Sequence, residues 1–226
     1  DHQINNDNLQ RYLCWGYLPG DRTLHPNTLK LPPATYARVD LKSFELQTHS
    51  YWQFELTPNE SLSEKDEPRL CEELRALIVQ ATRKRMLSDV PLGVFLSGGL
   101  DSSSILAAAT RCVESEKISA FSIGFEEPSF DESKNAIEVA THLGVSHHLS
   151  ILTEQKLLDT CTTILGRMTE PLGDPSIIPT EHLAAFARKK VTVTLSGDGG
   201  DELFAGYDPF VALKPASLYR SFVPNV

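Results

Sequence analysis

The stretch that decides the fold is Val94-Phe95-Leu96-Ser97-Gly98-Gly99-Leu100-Asp101-Ser102-Ser103. The apolar run from Pro91 to Leu96 has the length of a strand, and helical spacing of apolar residues follows from Asp101 to Val113. Together the two patterns predict a strand that passes through a tight turn, residues 97–100, directly into a helix. The carboxyl end of such a strand is where α/β proteins commonly bind ligands.

The turn has the composition of an anion site. Gly98 and Gly99 let backbone N–H groups approach a ligand without a Cβ clash, and the helix N-terminus adds unpaired N–H donors. Ser97 and Ser102 can add hydroxyl donors. Asp101 would repel a bare phosphate, so its carboxylate indicates a divalent cation that bridges it to the phosphate. The alternative is a plain tight turn in which Asp101 and Ser102 only cap the helix.

The six-residue pattern Ser-Gly-Gly-x-Asp-Ser, residues 97–102, resembles the pyrophosphate loop (PP-loop) of the ATP pyrophosphatases. That superfamily includes asparagine synthetases, GMP and NAD synthetases and tRNA-thiolating enzymes. The stretch is not a Walker P-loop, because no Gly-Lys-Ser/Thr follows, and it is not a GxGxxG fingerprint. The resemblance implies an adenine nucleotide α-hydrolase-like fold. It also implies that ATP is cleaved between its α and β phosphates, leaving an adenylated carboxylate or carbonyl oxygen and free pyrophosphate.

The composition is that of a globular domain. The chain has 226 residues, of which 41% are hydrophobic and 23% charged, enough for one sizeable core. A net charge of −9 without a basic stripe argues against a nucleic-acid partner. The densest basic cluster, Arg83-Lys84-Arg85, is predicted to lie on the solvated face of a helix near its C-terminus. No membrane-spanning stretch and no signal peptide are visible, so no membrane partner is expected.

Cysteine and histidine usage gives no metal site. The sequence contains four widely spaced cysteines, Cys14, Cys71, Cys112 and Cys161. They form neither a CxxC pair nor a zinc spacing, and the last three are predicted to be small buried thiols on apolar helix faces. This usage indicates a reducing, cytoplasmic compartment. The adjacent His147 and His148 fall on a predicted strand, where neighbouring side chains point to opposite faces and cannot form a simple metal pair.

Strands and helices alternate through most of the chain. The predicted strands are 92–96, 118–125, 147–152 and 191–195, and the predicted helices are 68–87, 101–113, 131–143, 153–165 and 179–189. This alternation predicts an α/β fold, a parallel sheet with helices on both faces. Because residues 191–195 are nearly all β-branched or apolar, this fourth strand is expected to be central and buried. The helix 68–87 is expected to bury one apolar face with Leu70, Leu74, Leu77, Ile78 and Ala81.

The first part of the chain predicts a short helix, residues 9–18, after a polar start that could be disordered. A β-hairpin follows, with strands 35–39 and 44–47. Gly16-Tyr17-Leu18-Pro19-Gly20 and Lys30-Leu31-Pro32-Pro33 resemble the closing stretch of the glutaminase domain of asparagine synthetases. The resemblance implies two domains. Residues 1–56 would be the closing segment of a glutaminase-type domain and linker, ending in a hairpin remnant, and residues 57–226 a PP-loop ATP-dependent synthetase domain, truncated at its C-terminus.

The hairpin predicts an apolar surface without a partner. It carries apolar side chains in or beside both strands, namely Tyr36, Phe44, Leu46, Trp52 and Phe54. Alternation sends such side chains to both faces of two strands, and two strands alone are marginally stable in water. The segment after Tyr207 is similarly apolar, with Phe210, Val211, Leu213, Leu218, Tyr219 and Phe222. The resemblance implies that the glutaminase sheet and C-terminal helices would cover these surfaces. The glutaminase nucleophile, an N-terminal cysteine, has no counterpart here, so this domain is expected to be missing from the chain.

A second constellation, Ser196-Gly197-Asp198-Gly199-Gly200-Asp201-Glu202-Leu203-Phe204-Ala205-Gly206-Tyr207, follows the fourth predicted strand. It repeats the design of the first loop, with glycines for close backbone approach and three carboxylates within five residues. Two strand-end loops that each offer an aspartate can clamp one magnesium–pyrophosphate group from both sides. Asp101 and Asp201 are therefore expected to face one shared cleft. The alternative is a helix N-terminus with capping acids.

This constellation closely resembles the second signature of asparagine synthetases. The implied ATP- and pyrophosphate-binding residues are Leu96, Ser97, Gly98, Gly99, Asp101, Ser102, Ile123, Ser196 and Gly197. The implied catalytic residues are Asp101, Asp198 and Asp201, of which the first and last would hold Mg²⁺ through pyrophosphate. Asp198 matches a position tied to the aspartyl-adenylate step, where many family members have a glutamate.

The implied reaction is that of a C–N ligase of asparagine biosynthesis. The aspartate side-chain carboxylate would attack the α-phosphorus of ATP, and ammonia derived from glutamine would then displace AMP to give asparagine. Family members are often homodimers. Two alternatives stay open. One is another acyl-adenylating enzyme, of the β-lactam synthetase or lasso-peptide cyclase type, since Asp198 leaves the acyl substrate open. The other is a truncated, non-catalytic nucleotide-binding module.

Overall fold

The computed structural model describes residues 3–59 and 61–222 and forms two compact units. One unit comprises Asp1–Glu64 together with Thr162–Ile177, and the other comprises Lys65–Cys161 together with Ile178–Val226. In the part of the chain that is described, no helix is both long enough and apolar enough to cross a membrane.

The first unit begins with helix α1, Asn6–Trp15. The Oδ1 atom of Asn5 accepts a hydrogen bond of 3.1 Å from the Asn8 amide, and Gly16 ends the helix with φ of 75°. The predicted range 9–18 was therefore placed three residues too late. The polar start, for which disorder was one of the possibilities, contains the N-cap, because an asparagine side chain satisfies an amide that the helix leaves unpaired.

A two-stranded antiparallel hairpin follows, β1 (Thr35–Val39) and β2 (Leu46–Ser50). The hairpin was predicted, but its second strand was placed two residues too early. Phe44 lies in the connecting loop with φ of 57°, a left-handed conformation. The Asp40 carboxylate accepts the amides of Lys42 and Ser43 at 2.8 and 2.9 Å, so the loop extends past Phe44 before pairing resumes.

The remaining elements alternate as the sequence predicts. In chain order they are α2 (Glu67–Arg85), β3 (Leu92–Phe95), α3 (Leu100–Thr110), β4 (Ser119–Phe125), α4 (Ser133–His142), β5 (Ser146–Leu152), α5 (Glu154–Leu165), α6 (Ile177–Ala187), β6 (Val193–Leu195), α7 (Gly200–Phe204) and α8 (Asp208–Phe222). From α2 to β6 their ends differ from the predicted ends by a few residues, as expected where helices fray. No bounds were predicted for α7 and α8.

The sheet is fully parallel, with the order β5-β4-β3-β6. Within the described residues β6 pairs with β3 alone, so it is an edge strand and not the central one that its hydropathy predicted. The strand is only three residues long, and Val193 is 39% exposed. The buried residue of this run is Val191, which precedes the strand and packs under the sheet with Phe121 and Ala187.

Helices cover both faces of the sheet, which confirms the predicted α/β class. On one face Val94, Leu96 and Ala120 pack with buried residues of α3 and α4, namely Leu106, Ala109, Ala136 and Ala140. On the other face Phe121 packs with Ala187 at the end of α6. Consecutive residues of β4, Ala120 and Phe121, thus belong to different layers, because side chains alternate along a strand.

Helix α2 differs most from its predicted environment. Leu74 and Leu77, expected on a buried face, are 40% and 61% exposed, and Thr82 is the buried residue of this helix. The helix meets the core near its C-terminal end, where Met86 packs against the main cluster. Cys71, predicted to be buried, is exposed because it lies on the uncovered N-terminal half; Cys112 and Cys161 are half-buried. The basic run 83–85 lies exposed in the last turn, as predicted.

Candidate active site

A cleft of about 600 Å³ lies at the carboxyl ends of β3, β4 and β6. Its volume is in the range of small-molecule binding sites. The residues that line it are Phe95, Leu96, Ser97, Asp101, Ser102, Ile123, Phe125, Phe130, Glu132, Pro179, Thr180, Leu183, Ser196, Gly197, Asp198, Gly199, Asp201, Glu202 and Tyr207. Apolar side chains from β3, β4 and α6 thus share one cleft with hydroxyls and carboxylates from the two glycine-rich loops.

The loop between β3 and α3 is held by its own serines. The buried Ser102 hydroxyl accepts the Ser97 amide at 3.2 Å and lies 2.9 Å from the Ser97 hydroxyl. The Ser97 hydroxyl also accepts the Gly99 amide at 3.2 Å. These hydrogen bonds fix the path of the loop before any ligand binds.

Gly98 could not be another residue without moving the loop. Its φ of 87° lies in the left-handed region. A Cβ placed there would come within 2.6 Å of the Ala136 backbone nitrogen and of the Asn135 Cβ in helix α4. The loop thus packs directly on the first turn of α4, which limits where its backbone can lie.

The loop after β6 is also internally bonded. The Ser196 hydroxyl donates to Asp198 Oδ2 at 2.9 Å, and the Gly200 amide donates to the Gly197 carbonyl at 3.1 Å. Gly199, with φ of 90°, precedes the short helix α7, which carries Asp201. The turn therefore points the Asp198 side chain back toward the strand end and places Asp201 one helical turn further on.

The two loops interlock through glycines. A Cβ on Gly197 would lie 2.7 Å from the Ser102 amide nitrogen, and a Cβ on Gly200 would lie 2.5 Å from the Asp101 carboxyl carbon. The Asp101 carboxylate therefore lies in space that a side chain at Gly200 would fill. Asp101 and Asp201 line the same cleft, which is the arrangement expected from two strand-end loops.

Nearly all residues that the sequence singled out meet here. Leu96, Ser97, Asp101, Ser102, Ile123, Ser196, Gly197, Asp198 and Asp201 line the cleft. Gly98 and Gly99 belong to the first loop but do not line the cleft, since Gly98 faces α4. Asp101 is half-buried, whereas Asp198 is exposed.

The donor set suits magnesium bound together with phosphate. The cleft offers carboxylate oxygens of Asp101, Asp198 and Asp201, the ligand type that Mg²⁺ prefers. Among the described residues no group of three or more histidine, cysteine, aspartate or glutamate side chains is arranged to hold a metal alone. The three cleft carboxylates are donors of the type that would fit a Mg²⁺ ion bound together with a nucleotide.

Negative charge concentrates at one end of the cleft. The Tyr207 hydroxyl donates to Glu202 Oε1 at 2.9 Å. This hydrogen bond, then burial and the carboxylates of Glu202, Asp201 and Asp198, raise the pKa of Tyr207 above its ordinary value. The carboxylates of Asp198, Asp201 and Glu202 thus lie near one another at this end of the cleft, where their negative charge favours a cation.

Several cleft residues were not singled out by the sequence. Phe125, Phe130 and Glu132 come from the end of β4 and the connection to α4, and Pro179, Thr180 and Leu183 come from α6. The first three could have been found, because they follow a strand at the same edge of the sheet. The α6 residues carry no motif, and only the packing of α6 on the sheet brings them to the cleft.

The comparison with known proteins gives the family. The family model described as Asparagine synthase matches residues 73–223. The chain belongs to the asparagine synthase family. Two relatives carry the name of a glutamine-hydrolyzing asparagine synthetase. One from Methanocaldococcus jannaschii is 38% identical over 207 residues, 90% of this chain, and one from Bacillus subtilis is 34% identical over 218 residues, 95% of this chain.

The chain spans 39% and 33% of the length of these two members of the asparagine synthase family. Among solved structures it is similar to a glutamine-dependent NAD⁺ synthetase from Acinetobacter baumannii in complex with ADP. That likeness has a TM-score of 0.47 and 23% sequence identity, and it covers 76% of this chain and 31% of the other. The family assignment comes from the sequence matches.

Proposed function

We propose that this chain is the ATP-dependent synthetase part of an asparagine synthetase, a C–N ligase. It would adenylate the side-chain carboxylate of aspartate and amidate it with ammonia derived from glutamine. The observation that carries the proposal is the interlock of two glycine-rich, aspartate-bearing loops on one cleft, in a chain of the asparagine synthase family. Each loop follows a different parallel strand, so the cleft has donors and acids on two sides.

The nucleotide would lie with its adenosine on the apolar part of the cleft and its phosphates between the loops. Leu96 and Ile123 would contact the adenosine, and Ser196 and Gly197 the adenylate. Ser97, Ser102 and the amides of the Gly98-Gly99 turn would bind the pyrophosphate. Asp101 and Asp201 would supply carboxylate oxygens to Mg²⁺, which on binding neutralises charge on the departing pyrophosphate.

The proposed reaction has two steps. An aspartate carboxylate oxygen attacks the α-phosphorus of ATP, the bond to the β-phosphate oxygen breaks, and pyrophosphate leaves. Ammonia then attacks the acyl carbon and loses one proton to the surrounding solvent, and the bond between the acyl carbon and the AMP oxygen breaks as asparagine forms. The chain contributes mainly position and charge compensation. Asp198, held by Ser196 at 2.9 Å, would act at the acyl end, as the resemblance implies.

The domain assignment belongs to the same proposal. Residues 1–56 would be the closing segment of a glutaminase-type domain and linker, and residues 57–226 the synthetase domain. Glutamine would then be the source of ammonia, hydrolysed by the glutaminase domain of a cytoplasmic and often homodimeric enzyme. The exposed hairpin supports this reading, because Phe44, Trp52 and Phe54 are 78%, 59% and 56% exposed.

ATP–pyrophosphate exchange tests the adenylation step without needing ammonia. We expect exchange that requires both Mg²⁺ and aspartate, and that is lost in Asp101→Asn but kept in Asp89→Asn, an exposed carboxylate ahead of β3. Exchange driven by a different carboxylate substrate would favour another acyl-adenylating enzyme. MgATP binding without any exchange would favour a non-catalytic module, and absence of MgATP binding would contradict the proposal.

A further inference from the structure

A chain of polar contacts runs from β5 through β4 to the residue that follows β3, at the start of the first loop. The Ser122 hydroxyl on β4 bonds to the Leu96 carbonyl, and His147 Nε2 on β5 lies 2.8 Å from the same hydroxyl. Ser122 and Leu96 are each 2% exposed. Polar groups this deeply buried are costly unless they are paired, so this chain of contacts constrains the backbone it reaches.

Leu96 is the last residue before the Ser97–Ser102 loop. The β3–β4 ladder ends at the pair Phe95 and Phe121, and the Leu96 amide then donates to the Phe121 carbonyl at 2.9 Å. The carbonyl of Leu96 is bonded by a side chain, Ser122, at the point where the backbone leaves the sheet. The backbone amide and the backbone carbonyl of Leu96 are thus both hydrogen-bonded to residues of β4, which sets the direction in which the loop begins.

The direction of each hydrogen bond follows from chemistry. A carbonyl oxygen can only accept, so the Ser122 hydroxyl donates its proton to Leu96. The hydroxyl oxygen must then accept from His147, which therefore carries a proton on Nε2. Burial, followed by the charge of His148, lowers the pKa of His147, which favours the neutral ring.

We propose that His147 and Ser122 are positioning residues that fix the start of the Ser97–Ser102 loop. They act through Leu96 and touch neither nucleotide nor metal. The expected effect on MgATP binding rests on the proposed function, whereas the expected effect on the loop backbone does not. It also gives a role to one of the two adjacent histidines.

The neighbouring histidine provides a matched control. His148 lies on the opposite face of β5, where its ring packs against Phe121 with centroids 5.1 Å apart. Like His147 it is half-buried, and burial also lowers its pKa. Replacing His148 therefore disturbs the same strand to a similar degree without breaking the bond to Ser122.

The test compares His147→Leu, His147→Gln, Ser122→Ala and His148→Leu in the full chain. The first readout is amide hydrogen exchange at residues 96–99 without nucleotide. We expect about tenfold faster exchange in His147→Leu and Ser122→Ala, the effect of losing one buried hydrogen bond. His148→Leu should leave this exchange unchanged, and His147→Gln, whose amide can donate from a similar position, should restore it. If His147→Leu does not fold, Ser122→Ala still tests the contact.

The second readout is binding of MgATP and of adenosine. In His147→Leu and Ser122→Ala the affinity for MgATP should fall about tenfold and that for adenosine should fall less, because the adenosine would contact only Leu96 of this segment whereas the phosphates would depend on the whole loop. Equal losses for the two ligands, or an exchange rate in Ser122→Ala no faster than in the parent chain, would overturn the inference. If the parent chain binds no MgATP but the exchange pattern is as expected, the proposed function fails and the positioning role stands.

Discussion

At the scale of single residues, Asp101 is the side chain around which the site is built. It is half-buried at the first turn of α3, and Gly200 of the second loop leaves open the space that its carboxylate occupies. A carboxylate enclosed in this way by glycine-rich backbone is well placed to face a cation and poorly placed to face a bare anion.

We predict that Asp101→Asn weakens MgATP and pyrophosphate binding by tenfold or more, with little effect on AMP binding. The amide has nearly the shape of the carboxylate but no charge to compensate a cation. Calorimetric titration of the three ligands measures this, with the exposed Asp89→Asn as control. Equal weakening of AMP and MgATP would contradict the role assigned to Asp101.

We predict that Gly197→Ala weakens the site as strongly as the loss of a charged side chain that holds the metal. Its Cβ would lie 2.7 Å from the Ser102 backbone nitrogen, which cannot move without the loop. The strain should cost about 1–3 kcal/mol in unfolding free energy and lower MgATP affinity. Gly166→Ala is the control, since its Cβ would meet nothing nearer than 3.6 Å. Denaturant unfolding of both variants checks this, and equal stability of the two would contradict the interlock.

At the scale of elements, α4 supports the cleft through its first turn. Asp131 precedes this helix and accepts hydrogen bonds from the Ser133 hydroxyl at 3.0 Å, the Ser133 amide at 3.2 Å and the Phe125 amide at 3.3 Å. The same carboxylate thus ties the end of β4 to the start of α4. Gly98 packs on that helix, so the connection also bears on the first loop.

We predict that Asp131→Ala lowers the thermal midpoint at neutral pH and that the difference narrows in acid. The hydroxyl and amide of Ser133 lower the pKa of Asp131 below its ordinary 3.8. A lowered folded-state pKa means that the stabilisation is present above the ordinary value and is lost as pH falls through the folded one. Melting curves from pH 7 to pH 3 measure this, with the exposed Glu138→Gln of the same helix as control. If the difference in thermal midpoint between Asp131→Ala and the parent chain did not change with pH, the ionised carboxylate would not be its cause, and side-chain packing would explain it.

Sequence reasoning worked for the elements whose residues carry a local signal. The strand, glycine turn and helix around Gly98 could be predicted because apolar spacing and turn chemistry are both local. The edge position of β6 could not, since a run of β-branched residues does not encode which strands flank it. The exposure of Leu77 was missed for a related reason. The sequence shows that one face of the helix is apolar, but it does not show which part of that face the neighbouring elements cover.

For the candidate site the limit lay in the elements without motifs. The strand-end rule placed Asp101 and Asp201 at one cleft before any geometry was known. It could not place Thr180 or Leu183, which reach the cleft from the middle of a helix that precedes its strand. It also gave no role to His147, because a hydrogen bond between residues on neighbouring strands depends on register.

At the scale of the whole molecule, apolar exposure is concentrated in and after the hairpin. Trp52 and Phe54 lie with ring centroids 6.2 Å apart and are 59% and 56% exposed. In α8, Val211 and Leu213 are exposed as well, which agrees with the sequence expectation. The side chains of Leu218, Tyr219 and Phe222, to which the same expectation applied, lie outside the described residues.

We predict that this chain self-associates on its own and that Trp52→Ser with Phe54→Ser reduces the association. Contiguous exposed apolar surface drives proteins together, whereas an isolated apolar residue does not. Leu87→Ser is the matched control, because Leu87 is 91% exposed in the turn after α2. Sedimentation velocity over a concentration series measures the effect. A parent chain that stays monodisperse over the whole concentration series would contradict the prediction.

The interlock of the two loops has a consequence for how the site forms in time. Gly197 and Ser102 touch although roughly 95 positions separate them along the chain, and β4 and β5 lie between them in sequence. Contacts of such long range form slowly, because the intervening chain must be ordered first. During synthesis the first loop would therefore emerge long before the second loop, with which it forms the site. In refolding experiments the capacity to retain nucleotide should appear only with the slowest phase, which makes the nucleotide a reporter of the completed fold.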